Sequence, residues 1–227
     1  MAAAAATAPP VVASAAGASN QGRTWAEVAK LPDFTTGIWE TPLDASAFRP
    51  QSQAELTPAS NCVPPGMPQI MDQPYPMQIF FGPGQVSIQL EAYMQMRHIY
   101  TDGRKLPDDP DATYNGSSVG HWDGGALVVD TVGFVPDTPL GLSYGMHHSD
   151  KMRIHETMKL TDPDTLLVTT TVEDPEALTK PWTTTRTFKR HKDWTIAEYV
   201  CEQNNRNKAD ETGKAGIDLT PPPGAAQ

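Results

Sequence analysis

Positive charge is scarce in this chain: 17 Lys and Arg stand against 27 Asp and Glu, giving a formal net charge of −10 at pH 7 over 227 residues. No basic cluster occurs anywhere, which argues against a nucleic-acid partner and against an anionic membrane surface, since both depend on concentrated positive charge. There is no apolar run of about 18 residues, so no stretch reads as a bilayer-spanning helix and no membrane insertion is expected. Cysteine is limited to Cys62 and Cys201, too few for a Cys-based zinc module. The patterns G-x-G-x-x-G, P-loop, H-E-x-x-H and G-x-S-x-G are all missing, which removes the common nucleotide, zinc-protease and α/β-hydrolase readings. The Ala-rich stretch Met1 to Asn20 has neither a basic n-region nor a Leu-rich core, so it is not an intact signal peptide. Two readings of it stand: the small-residue remnant of a removed export signal, or a disordered tail.

What is present is antiparallel β grammar. The chain is long enough for one large β domain. The expected division is a tail over 1–22, a β-barrel domain over 23–207 and a flexible tail over 208–227. Thr24-Trp25-Ala26-Glu27 has the form of a capping box and predicts a short N-terminal helix stopped by Pro32. Gly37 to Glu40 reads as a first strand. Prolines at positions 42, 50, 58, 64, 65, 68, 74 and 76 then exclude regular central strands and predict a long Pro-rich loop or lid. From Met77 apolar and polar residues alternate through Val86, Ile88 and Leu90, then along Met94 to Tyr100. Further candidate strands are Ala126–Val132, Lys151–Leu160, Thr165–Val172, Trp182–Arg190 and Trp194–Cys201, separated by tight turns. The expected fold is all-β: a single antiparallel up-and-down barrel, lipocalin-like in form.

Candidate chemistry follows from the faces. In Lys151–Leu160, Glu156 shares a face with Met152, Ile154, Met158 and Leu160, so it points inward and must be paired, hydrogen-bonded or shifted in pKa. Pairing with Arg97 or Arg186 is the structural reading for Glu156 and for Glu198, which the same logic places on the face of Trp194, Ile196 and Val200. Met94, Met96, His98 and Tyr100 fall on one face of their strand, opposite Arg97. Read as a lining, Met94, Met96, Tyr100 and Phe80 would hold an apolar ligand, although Met-rich faces are more often plain core. The loop Gly145 to Asp150 sets His147, His148 and Asp150 at an expected barrel mouth. There His148 is the candidate acid/base, oriented by Glu156 or Asp130. A metal held by His147, His148, Asp150 and a distant His98 or His121 is the weaker option. No metal and no cofactor is expected. Cys62 and Cys201 pair as a disulfide if the chain is exported, or stay as two buried thiols if it is not.

The combined strings R-x-I-Y-x-D-G-R-x-x-P at Arg97 to Pro107, G-x-S-x-G-x-W-D-G at Gly116 to Gly124, L-V-V-D-T at Leu127 to Thr131, H-S-D-K-M at His148 to Met152 and E-Y-x-C-E-x-N at Glu198 to Asn204 resemble a widespread, mostly uncharacterised family of exported bacterial β-barrel proteins. The resemblance covers about Gly37 to Asn207. It implies a periplasmic or secreted location and a shared constellation of Arg97, Asp130, His148 and Glu156. It implies no activity. The chain departs from the pattern at Gly125 and Ala126, and at Arg153-Ile154-His155 ahead of Glu156. Two functions are therefore expected. One is a cofactor-independent lyase or isomerase acting on a small apolar or aromatic molecule, with His148, Glu156, Asp130 and His98 as catalytic candidates. Its substrate contacts would be Arg97, Tyr100, His121, Trp122, Met94, Met96 and His147. The other is a lipocalin-like small-molecule binding protein without catalysis.

Overall fold

The computed structural model describes residues 22–41, 62–136, 138–140 and 146–201, together with the backbone of 208–209 and 215–216. The N-terminal tail, the first part of the Pro-rich loop and most of the C-terminal tail lie outside the described residues. The capping box forms as the sequence dictates: the Glu27 amide donates to Thr24 Oγ1 (3.3 Å) and the Thr24 amide to Glu27 Oε2 (2.9 Å), starting helix α1, Trp25–Val28.

Nine strands close into a barrel: β1 (Ile38–Glu40), β2 (Met77–Gly82), β3 (Gln85–Leu90), β4 (Gln95–Tyr100), β5 (Ser117–Asp123), β6 (Ala126–Val132), β7 (Arg153–Asp162), β8 (Thr165–Glu173) and β9 (Trp182–His191). Neighbours in sequence are neighbours in space, and β1 closes the ring against β9. One seam differs from the expected antiparallel barrel, because β4 and β5 run parallel. The cause is parity. Directions that alternate around a ring of nine cannot all alternate, so one adjacent pair must run the same way, and a parallel pair needs a crossover rather than a tight turn. Residues 101–116 supply that crossover. The barrel is thus mixed, and its parallel seam is thin, with only Ile99↔Ser118 and Tyr100↔Val119 in register. By contrast β7 and β8 stay in register over nearly their whole length.

Two strand expectations are corrected. β5 was not among the expected strands, because Ser117, Ser118 and Gly120 interrupt the run of β-branched and aromatic residues that marks one. Gly120 is needed there because a Cβ would lie 2.9 Å from the Val128 carbonyl oxygen and 3.0 Å from Ile99. Trp194–Cys201 is no strand: Trp194 is exposed and stacks on His191 at 3.8 Å, and the segment docks instead through Tyr199, whose ring meets Tyr75 and Tyr93. Glu198 is accordingly exposed rather than inward. Cys62 and Cys201, 139 positions apart, form a disulfide that ties this segment to the Pro-rich loop. Residues 208–209 and 215–216 pair as a small separate hairpin, β10 and β11.

The core is the barrel interior. Ile79, Ile88, Ile99, Leu127, Val129, Met158 and Leu166 are 0% exposed, and a hollow lumen of molecular size would leave them accessible surface. Burying each contributes about 1.5–3 kcal/mol. One end is plugged by Phe34, Phe81 and Trp122, whose ring centroids lie 5.4 to 6.0 Å apart. Trp122 is therefore core, because at 2% exposure it has no face left for a substrate.

Candidate functional site

The register of β3 against β4 decides which side chains reach the interior. Val86 and Ile88 face inward on β3, and their partners across the seam are Ile99 and Arg97, so these two follow them inside. Met96 and His98 then face outward, and Met94 sits before the strand in a 3-10 turn with φ 49°. The expected lumen lining is thereby reversed: Met94, Met96 and Phe80 are 44, 41 and 41% exposed on the outer surface. A cationic guanidinium takes the inner position because its charge is answered there.

Arg97 (1% exposed) meets Glu156 (0%) in a bidentate pair, Nη1 to Oε1 at 3.2 Å and Nη2 to Oε2. Nη2 also donates to Thr131 Oγ1 (3.0 Å) and Ser118 Oγ (3.4 Å), and the two hydroxyls bond each other at 2.9 Å. Such a fork satisfies most of the polar atoms that the low-dielectric interior would otherwise penalise. The inward reading of Glu156 and its partner Arg97 both hold. Arg186 also faces inward, but its partner is Asp72 of the Pro-rich loop, at 2.6 Å, rather than Glu198. Burial raises the Asp72 pKa above the ordinary carboxylate range and Arg186 only partly offsets this.

The carboxylates expected to orient His148 are committed elsewhere. Glu156 holds Arg97, and Asp130 Oδ1 holds His155 Nδ1 at 2.8 Å on the outer face of β6 and β7, which raises the His155 pKa. His148 is 2% exposed and sits in the loop between β6 and β7. Its Nδ1 donates to the Ser149 carbonyl oxygen (2.9 Å), its Nε2 meets the Thr138 hydroxyl, and Phe134 packs edge-on against the ring. Asp174 fastens the same loop by accepting from the Ser149 amide and hydroxyl at 2.6 and 2.8 Å. Burial alone would raise the Asp174 pKa, yet these bonds and those from the Glu176 and Ala177 amides bring it below the ordinary value. His147 is exposed, and His121 is half-buried on β5 facing Val128 of β6. The predicted constellation is thus dispersed among the core, the outer sheet and one barrel end.

Three of the predicted residues do converge. Met96, His98 and Tyr100 line a cleft of about 800 Å³ on the outside of the parallel seam, roofed by the crossover. The crossover exists because the ring's one obligatory parallel pair falls between two consecutive strands, β4 and β5, and the cleft lies between this crossover and the short seam beneath it. His98 Nδ1 lies 3.0 Å from the Gln85 side-chain amide and 3.1 Å from Ser87 Oγ. The amide only donates, so Nδ1 accepts and the ring N–H is left on Nε2. Arg104 lies over the Tyr100 ring with its guanidinium carbon 3.8 Å from the centroid, and Asp102 grips it through Nε (3.0 Å) and Nη2 (2.6 Å). The Asn115 side-chain amide donates to Gln95 Oε1 (3.1 Å) and to the Met96 carbonyl (3.4 Å), standing in for a strand partner on the open edge of β4.

No family model matches the chain, and no curated protein matches it.

Sequence reasoning missed Arg104, Lys105 and Asn115, which come from the crossover. A signal for Arg104 was present: Asp102 precedes Gly103, and an Asp at that place caps the turn by accepting from the Arg104 amide (3.1 Å), which fixes the side chain that follows. Nothing in the sequence marks Asn115, whose role depends on the parallel seam. A second cleft, of about 1430 Å³, lies across the crossover and is lined by Asp108, Asp109, Asp150, Lys151, Arg153 and Glu173 among others.

Proposed function

We propose that the protein binds a small molecule with an apolar or aromatic body, and that it does so in the outer cleft rather than in a lipocalin-like lumen. What carries this reading is the contrast between a filled interior and a cleft of ligand size where Met96 and Tyr100 offer apolar surface beside His98, Asn115 and Arg104. A few placed polar groups in a mostly apolar concavity are the ordinary make-up of a small-molecule site. No resident cofactor or metal belongs to the proposal. The lyase or isomerase reading loses its first form, since Glu156 and Asp130 are engaged by Arg97 and His155. It keeps a second form in His98, whose fixed tautomer would let Nε2 exchange a proton with a bound molecule. Export to an oxidising compartment, periplasmic or secreted, is part of the same proposal, and the Cys62–Cys201 disulfide supports it.

The test is a screen of the full chain against small aromatic and apolar molecules by thermal shift, with the site located by NMR amide shifts. Tyr100→Ala and Met96→Ala should each weaken a hit by about tenfold, as anchors in a pocket do, with unfolding unchanged. His98→Gln should keep binding and abolish any turnover. Ligand shifts confined to Leu127, Val129 and Met158 would place the site in the interior and defeat the reading.

A further inference from the structure

We infer that the cleft at the parallel seam selects anions: its ligand carries a carboxylate, or a small anionic group of similar charge, on a flat apolar or aromatic body. This rests on the binding reading above and adds to it the sign of the ligand's charge.

The first observation is a local reversal of sign. The chain as a whole has a net charge of −10, yet Arg104, Lys105 and His98 line this cleft and no Asp or Glu side chain does. Across the crossover, where Pro107 and Ala112 line both concavities, acidic residues outnumber basic ones in the second cleft, with Asp108, Asp109, Asp150, Glu173 and Asp174 against Lys151, Arg153 and Lys180. The reversal therefore belongs to one side of one loop. The second observation is how the cations are held. Asp102 engages Arg104 through Nε and Nη2, which fixes the guanidinium plane on Tyr100 and leaves Nη1 outside that bond set. A planar cation stacked on an aromatic ring is a preorganised platform for a planar anion. Lys105 is exposed and forms no ion pair among the described residues. His98 contributes an N–H donor through Nε2.

These features rank ligands. A cationic ligand would meet the charge of Lys105, beside an Arg104 that Asp102 already pairs. A neutral one would cover Lys105 with no counter-charge, losing hydration without repayment. An anion gains charge-assisted hydrogen bonds from Lys105, Arg104 and His98 while its ring lies along Tyr100 and Met96.

Three probes of one shape test this on the full chain: 2-naphthoate, 2-naphthamide and 2-naphthylmethylammonium, titrated at low ionic strength and followed through the amides of Tyr114 and Val119. Naphthoate should bind about two- to fivefold tighter than the amide, the scale of partly exposed charge pairs, with the ammonium weakest. About 0.5 M salt should erase most of that preference by screening. Lys105→Gln should cost naphthoate about threefold and leave naphthamide unchanged. Equal binding of acid and amide, or tightest binding of the ammonium, overturns the anion inference and leaves the binding reading intact. If none of the three perturbs the cleft amides, both fall.

Discussion

Arg97 and Arg104 stand seven positions apart, one within β4 and one in the loop that leaves it, and each is paired with a carboxylate. Arg97 is 1% exposed and Arg104 is 51% exposed. Inside, water cannot compensate either charge, so the pair must be complete or not exist at all. Outside, water answers most of the charge, and Asp102 serves to orient Arg104 more than to stabilise the fold. The same two residue types thus specify structure in one place and present a surface in the other.

Breaking the interior pair should have the largest effect. Glu156→Gln should destabilise the protein by about 3–5 kcal/mol, because Arg97 is left buried and uncompensated, measurable as a lower urea midpoint with unchanged slope. Arg97→Met combined with Glu156→Leu should recover most of that loss, since well-packed apolar replacements of buried pairs are often neutral. A double variant as unstable as Glu156→Gln would show that the cost lies in packing and not in charge.

An intermediate case sharpens the contrast. His155 and Asp130 are 42 and 46% exposed, and the hydrogen bond that the His155 ring donates to Asp130 lifts the His155 pKa above its ordinary value of about 6.5. A raised pKa in the folded state means that the pair's stabilisation is complete below about pH 6.5 and fades as pH rises through the folded pKa. Asp130→Asn should return the His155 titration, followed by NMR, toward about 6.5 and flatten that pH dependence. An unchanged titration would show that Asp130 does not set it.

The smallest effect on stability is expected at Arg104. Arg104→Gln should leave the melting temperature unchanged within error, while weakening naphthoate more than naphthamide. A clear loss of stability would mean that the stacked guanidinium holds the crossover in place, and the two arginines would then differ less than their exposure suggests.

Much of the barrel was legible in the sequence because alternation is enforced wherever one face is buried. Ile88 and Leu90, or Ile154 and Met158, could not be turned outward without losing several side chains' worth of burial. The inward Glu156 was legible for the same reason, as was its need for a buried cation, with Arg97 and Arg186 as the two choices. The reversal of β4 was not legible. Methionine is apolar and arginine is not, so the pattern alone puts Met94 and Met96 inside; only the register with Val86 and Ile88, together with a counter-charge from a strand 59 positions away, reverses it. β5 was hidden by serines and Gly120, a glycine whose place there is explained only by the closeness of Ile99 and Val128. The cleft was legible in part, through His98, Tyr100 and Met96. Its roof was not, because Lys105 and Asn115 acquire a role only once β4 and β5 run parallel.

That parallel seam also bears on how the chain is threaded. β1 lies beside β9, with Ile38 opposite His191, so the two ends of the strand series already meet. Joined there and cut within residues 101–116, the same barrel would run from β5 through β9, then β1 to β4. Every successive pair would be antiparallel, and the one parallel contact would fall where the first strand meets the last. In topological terms the protein is a circular permutation of a plain up-and-down meander, and the loop that roofs its cleft is the place where that meander would begin and end.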